Sequence, residues 1–161
     1  MKISILFLII FCSSCSYGTT SWYFRPQPPQ ATIEDEIEVS IVALDCGISG
    51  CKSIGLQIEN NSDRDLQIDW NKTLFIENGL TNGGFFFKGI PARDRNENKP
   101  PDVVFANSLF LKIIHPSVNV YYNDDWYLGV MGKGVYGIYL SMLDSKNVIN
   151  EKIIVYLYAE Q

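Results

Sequence analysis

From Ile33 to the C-terminus the apolar residues recur at every second position, and no stretch repeats at the helical period of 3.6. A period of two sends successive side chains to opposite faces, so such segments can bury one face only as strands. Ile37, Val39, Ile41 and Ala43 share a face, with Glu36, Glu38 and Ser40 opposite. Ile54, Leu56 and Ile58 alternate with Gly55, Gln57 and Glu59; after Asn60-Asn61-Ser62-Asp63 comes a second alternating run, Leu66, Ile68 and Trp70. This reads as a hairpin with both apolar faces on one side. Residues 73–77, 85–88, 109–114, 118–122 and 126–130 read as further strands, punctuated by Asn78-Gly79, Asn82-Gly83-Gly84 and Asn123-Asp124-Asp125. The clearest hairpin joins 135–143 to 152–159, with Ile153, Val155 and Leu157 on one face and Ile154, Tyr156 and Tyr158 on the other. Short strands at regular spacing predict an all-β antiparallel sandwich of about 7 to 9 strands.

The N-terminus obeys different rules. Lys2 precedes an apolar run that reaches Cys12 and is broken only by Ser4. A membrane-spanning helix needs about 20 apolar residues, so the run is too short to span and fits a secretory signal. Ser13-Ser14-Cys15 follows it, and this arrangement resembles the lipobox of bacterial lipoproteins. Cys12 stands where that family has leucine. The resemblance implies that residues 1–14 are removed and that Cys15 carries the lipid. Residues 15–32, with Arg25-Pro26-Gln27-Pro28-Pro29-Gln30, then read as an extended tether and 33–161 as the folded domain. Trp22, Tyr23 and Phe24 would either enter the headgroup layer or pack back on the domain. Ser16 after the lipidated cysteine implies outer-membrane retention, facing the periplasm.

Composition narrows the partners. The 161 residues include 18 acidic against 13 basic side chains, a net charge of -5, so there is no basic field for nucleic acid. One histidine leaves little room for imidazole-based metal sites or triads. No metal, cofactor or catalytic residue is assigned. Cys46 and Cys51 flank Gly47-Ile48-Ser49-Gly50 between two strands; in an exported chain they are expected to form a disulfide at a hairpin tip. A redox role would want Cys-X-X-Cys spacing and a helix N-terminus, neither of which the sequence supplies. Gly132-Lys133-Gly134-Val135-Tyr136-Gly137 matches the dinucleotide fingerprint in letters only, because β-branched and aromatic residues follow it instead of a helix, so no nucleotide is expected.

Two features remain. Residues 91–102 pack charges of both signs between prolines, an exposed connection long enough to carry function or to cross between sheets. Tyrosine and tryptophan crowd the C-terminal third, and Tyr121, Tyr122, Trp126 and Tyr127 form the candidate binding surface. The segment Ile58 to Trp70, a polar turn between strands with a tryptophan closing the core, resembles the small immunoglobulin-like and transthyretin-like sandwiches of bacterial lipoproteins. The expectation is an anchored, non-catalytic binding or structural module with an envelope protein as partner. An envelope enzyme acting on glycan or peptide through Asp69, Asp124 or Asp125 is the alternative, and a surface exclusion factor a third reading.

Overall fold

A computed structural model describes residues 20–28, 30–145 and 147–160, so the N-terminal leader and Cys15 lie outside the described residues. The strands in chain order are β1 (Ser21–Arg25), β2 (Ala31–Ile33), β3 (Ile37–Gly47), β4 (Gly50–Asn60), β5 (Leu66–Ile68), β6 (Leu74–Glu77) and β7 (Leu80–Thr81). They continue with β8 (Phe85–Phe86), β9 (Asp102–Val104), β10 (Ser108–Pro116), β11 (Val120–Asn123), β12 (Asp125–Leu128), β13 (Gly134–Leu143) and β14 (Val148–Glu160). One sheet runs β1-β14-β13-β5-β9, with β6 beside another stretch of β13 and β7 beyond it; the second runs β2-β3-β4-β10-β8. Among the described residues β11 and β12 pair only with each other. The fold is an all-β, antiparallel sandwich, as the alternation predicts.

The two inner faces meet in one core. Ile37, Val39, Ile41, Ile54, Leu56 and Ile58 face inward from the five-stranded sheet, and Ile138, Leu140, Ile153, Val155 and Leu157 from the seven-stranded one. Fully burying such a side chain stabilises the fold by roughly 1.5–3 kcal/mol. Trp70 closes one side: its ring lies 5.0 Å from Phe87 and its Nε1 donates to Asp102 at 2.7 Å. Lys112 lies over both rings and is ion-paired with Asp102, so its charge is compensated on the inner side of its sheet.

The expected hairpin of 54–58 with 66–70 does not form. Both edges of β4 are occupied, by β3 and β10, and β5 pairs instead with β13 and β9 in the other sheet. The polar turn between them is an inter-sheet crossover. Buried Asn60 holds it, donating to the carbonyls of Arg64 and Phe105 and accepting from the Ser62 hydroxyl. Arg64 then clamps the sheets together, with one nitrogen on Glu34 at 2.6 Å and another on Asp144 at 2.8 Å. The bond to Glu34 holds the guanidinium pKa above its ordinary value, and burial opposes it.

The sandwich also takes in chain expected to be tether. β1 pairs with β14 and β2 with β3, Phe24 is buried, and Trp22 packs against the core. An alternating Ser-Trp-Tyr-Phe-Arg segment has a face to bury, and the prolines merely separate two short edge strands. With these two and several two- or three-residue strands, the described residues carry fourteen strands against the expected seven to nine.

Candidate functional site

The β11–β12 ribbon is built by one turn and one glycine. Tyr121 lies opposite Tyr127 and Tyr122 opposite Trp126, with Asn123 and Asp125 closing the tip. Asp124 takes the left-handed conformation there (φ 61°), which aspartate tolerates because its short side chain can bond the local backbone. Asp125 accepts a hydrogen bond from the Trp126 amide at 2.7 Å. At the root, Gly129 donates to the Asn119 carbonyl at 2.7 Å. A Cβ at Gly129 would fall 2.5 Å from Tyr121 Cε2, so the missing side chain is what lets that ring lie across the chain.

A two-stranded ribbon puts alternate residues on opposite faces, and here both faces are aromatic. Tyr121 and Tyr127 pack at 5.6 Å between centroids, and Tyr122 and Trp126 at 5.2 Å. Tyr121 is 44% exposed, Tyr122 65% and Tyr127 51%. Buried Val120 anchors the ribbon, and Phe86, Ala92, Val120 and Leu128 line a small apolar cavity of about 160 Å³ at its base with Trp126 and Tyr127.

The long polar loop comes to this ribbon. Its Arg95 guanidinium lies 5.0 Å over the Trp126 ring, a cation–π contact joining loop and ribbon. The loop has internal order: Lys99 donates its ammonium protons to the carbonyls of Arg95 (2.8 Å) and Glu97 (2.9 Å), and Asn71 makes two reciprocal bonds with the Lys99 backbone. Ser117, at the start of the turn leading to β11, donates to the Arg95 carbonyl at 3.1 Å. Burial pulls the Lys99 pKa below its ordinary value, and Glu97 opposes the shift. Between this loop and Trp70, Asn71 and Gly84 lies a polar cavity of about 300 Å³.

Other residues singled out in the sequence sit elsewhere. Cys46 and Cys51 face each other across the β3–β4 tip and are joined by a disulfide. The Cys51 backbone pairs in both directions with Met131, which ties that tip to the chain entering β13. Gly50 is required here: at φ 143°, a Cβ would fall 2.1 Å from the Met131 carbonyl oxygen. Gly134 and Gly137 of the fingerprint-like run lie in strand β13. His115, the last residue but one of β10, lies opposite Phe86 with Nδ1 3.2 Å from the Lys52 carbonyl. Asp69 follows β5 and pairs with Lys72 at 3.0 Å, whereas Asp124 and Asp125 stand at the ribbon tip. Among the described residues no group of three or more His, Cys, Asp or Glu side chains is arranged to hold a metal ion.

Two surfaces lie outside the four-residue candidate set, the first of them on the strand face that the sequence gives to Tyr156 and Tyr158. On the outer face of the seven-stranded sheet the Tyr23 and Tyr158 rings stack at 6.0 Å with Arg25 over both, at 5.3 and 5.5 Å, and Tyr156 packs on Tyr158 at 4.8 Å. On the outer face of the five-stranded sheet Val42, Leu44, Leu111, Ile113 and Pro28 border an apolar groove of about 330 Å³ beside Gly55. The signal for the second was present in the apolar row Leu109, Leu111 and Ile113, but Lys112 on the other row marks that row as the outer one, and the structure turns it inward.

No known family model, curated protein or solved structure matches the chain.

Proposed function

We propose that this chain is an exported, lipid-anchored β-sandwich that works as a non-catalytic binding module of a bacterial envelope, presenting the β11–β12 ribbon to a protein partner. The observation that carries the reading is the ribbon itself: it lies outside both sheets, and its two aromatic faces are fixed at the root by Gly129 and Val120 and on one side by Arg95. Rigid, part-exposed tyrosine and tryptophan side chains give large contact area at small entropic cost, the feature that makes such residues binding anchors. The anchor rests on Lys2, the apolar run and Ser13-Ser14-Cys15, the resemblance to bacterial lipoproteins and their outer-membrane retention. Two acyl chains or more hold a protein on a membrane stably.

The experiment is crosslinking in intact cells with a photoreactive residue at exposed position 123 of the ribbon, followed by mass spectrometry. A single stoichiometric partner, lost with Tyr122→Ala plus Tyr127→Ala and retained with Ile154→Ala on the opposite sheet, is expected. Capture unchanged by the ribbon substitutions would overturn the assignment. Separately, Cys15→Ala is expected to abolish acyl labelling and membrane retention; retention in that variant defeats the anchor.

A further inference from the structure

We propose that β10 is a self-association edge, pairing antiparallel with β10 of a second copy to join two five-stranded sheets across a two-fold axis centred on Leu111. The first observation is a free ladder. Among the described residues, β10 pairs with β4 from Ser108 to Ile114, and on its other side β8 meets only His115 and Pro116. A strand edge without a partner presents backbone donors and acceptors to any chain that can align with it.

The second observation is what borders that edge. Leu109, Leu111 and Ile113 are 54%, 66% and 53% exposed on the outer face. Proteins shield such edges by shortening them or by placing charges on them, and this chain does so elsewhere: β2 and β9 are three residues long, and β1 carries Arg25, paired with Glu160. β10 is nine residues long, and its one charge, Lys112, is turned inward onto Asp102, Trp70 and Phe87. No charge on its solvent face repels a neighbour.

The third observation selects a second copy as the occupant. With Leu111 opposite its own counterpart, Leu109 of each copy faces Ile113 of the other, so the outer row stays apolar throughout. The surroundings are also complementary. Glu59 lies opposite Leu109 and Glu38 opposite Glu59 at one end of β10, while exposed Lys88 comes two residues after Phe86, the register partner of His115, at the other. A two-fold brings the acidic end of each copy to the basic end of the other, which is the condition for an isologous interface.

The test uses the full chain in detergent micelles, by sedimentation velocity and backbone hydrogen exchange. Two chains per particle at tens of micromolar are expected, with amide exchange in 108–114 slowing as concentration rises. Leu111→Lys places like charges face to face across the axis and is expected to weaken the dimer at least about tenfold. Leu109→Glu and Ile113→Lys should each weaken it alone, whereas the double variant sets opposite charges against each other in both halves and restores association. A monomer at all concentrations overturns the proposal. So does a dimer indifferent to Leu111→Lys, or one that the double variant fails to restore, and so does a different protein occupying β10 while the chain stays monomeric. None of these outcomes bears on the aromatic ribbon, which lies on other strands.

Discussion

Two hairpins of this molecule use the same backbone chemistry for opposite ends. β3–β4 is long, stapled at its tip by Cys46–Cys51, and buries one face completely: Ile37, Val39, Ile41, Ile54, Leu56 and Ile58 all sit in the core. β11–β12 is four residues a side and keeps large rings partly in solvent on both faces. An isolated two-stranded hairpin is marginal in water, so the ribbon holds its shape through its root and through Arg95 rather than through its own ladder. Stability is invested in the first hairpin and contact surface in the second.

That contrast can be broken from the core outward. Ile58→Ala should cost about 2–5 kcal/mol, because it leaves a cavity between packed sheets, whereas Tyr122→Ala should stay within about 0.5 kcal/mol. Equilibrium urea unfolding of both variants measures the gap, and equal losses would show the ribbon to be part of the core. Replacing Cys46 and Cys51 together by alanine should cost about 2 kcal/mol, since the closed loop is short, and leave crosslinking at the ribbon unchanged.

Arg95→Ala sharpens the comparison from the other side. Removing the guanidinium from the Trp126 ring should cost about 0.5–1 kcal/mol and free the ribbon. The expected readout is a red-shifted tryptophan emission and faster amide exchange in 120–128 with β3–β4 unaffected. The smallest effect concerns pH. Burial raises the Tyr136 phenol above 10.0, Glu77 adds to the rise, and a Gly132 backbone bond opposes it. The unfolded chain therefore gives up this proton first, so the Tyr136 contribution to stability falls as pH climbs past 10.0. Tyr136→Phe should flatten that alkaline decline in thermal melts without moving the neutral baseline by a comparable amount.

How much of this was legible depends on range. Period-two alternation is a local property, and it identified the inner faces of β3, β4 and β14 and the long β13–β14 hairpin. The Asn123-Asp124-Asp125 turn between two aromatic runs likewise pointed to a ribbon carrying Tyr121, Tyr122, Trp126 and Tyr127. The contact of Arg95 with Trp126 was not legible, because 31 positions of chain separate them and only the packing of the polar loop joins them. Gly129 fell inside the strand read over 126–130, and its role shows only once Tyr121 is seen to lie over it.

The sequence by itself determined that the chain is built from strands, which side chains share a face, and where the chain must turn, since those follow from geometry within a few residues. Only the tertiary structure decided which strands are neighbours. Asn60 to Arg64 could close a hairpin or cross between sheets, and it crosses because β3 and β10 already occupy both edges of β4. The outward turn of Leu109, Leu111 and Ile113 was settled the same way. Lys112 marks its row of β10 as the outer one, yet it is Ile114 of that row that fits the core and Lys112 that finds Asp102, Trp70 and Phe87 on the inner side.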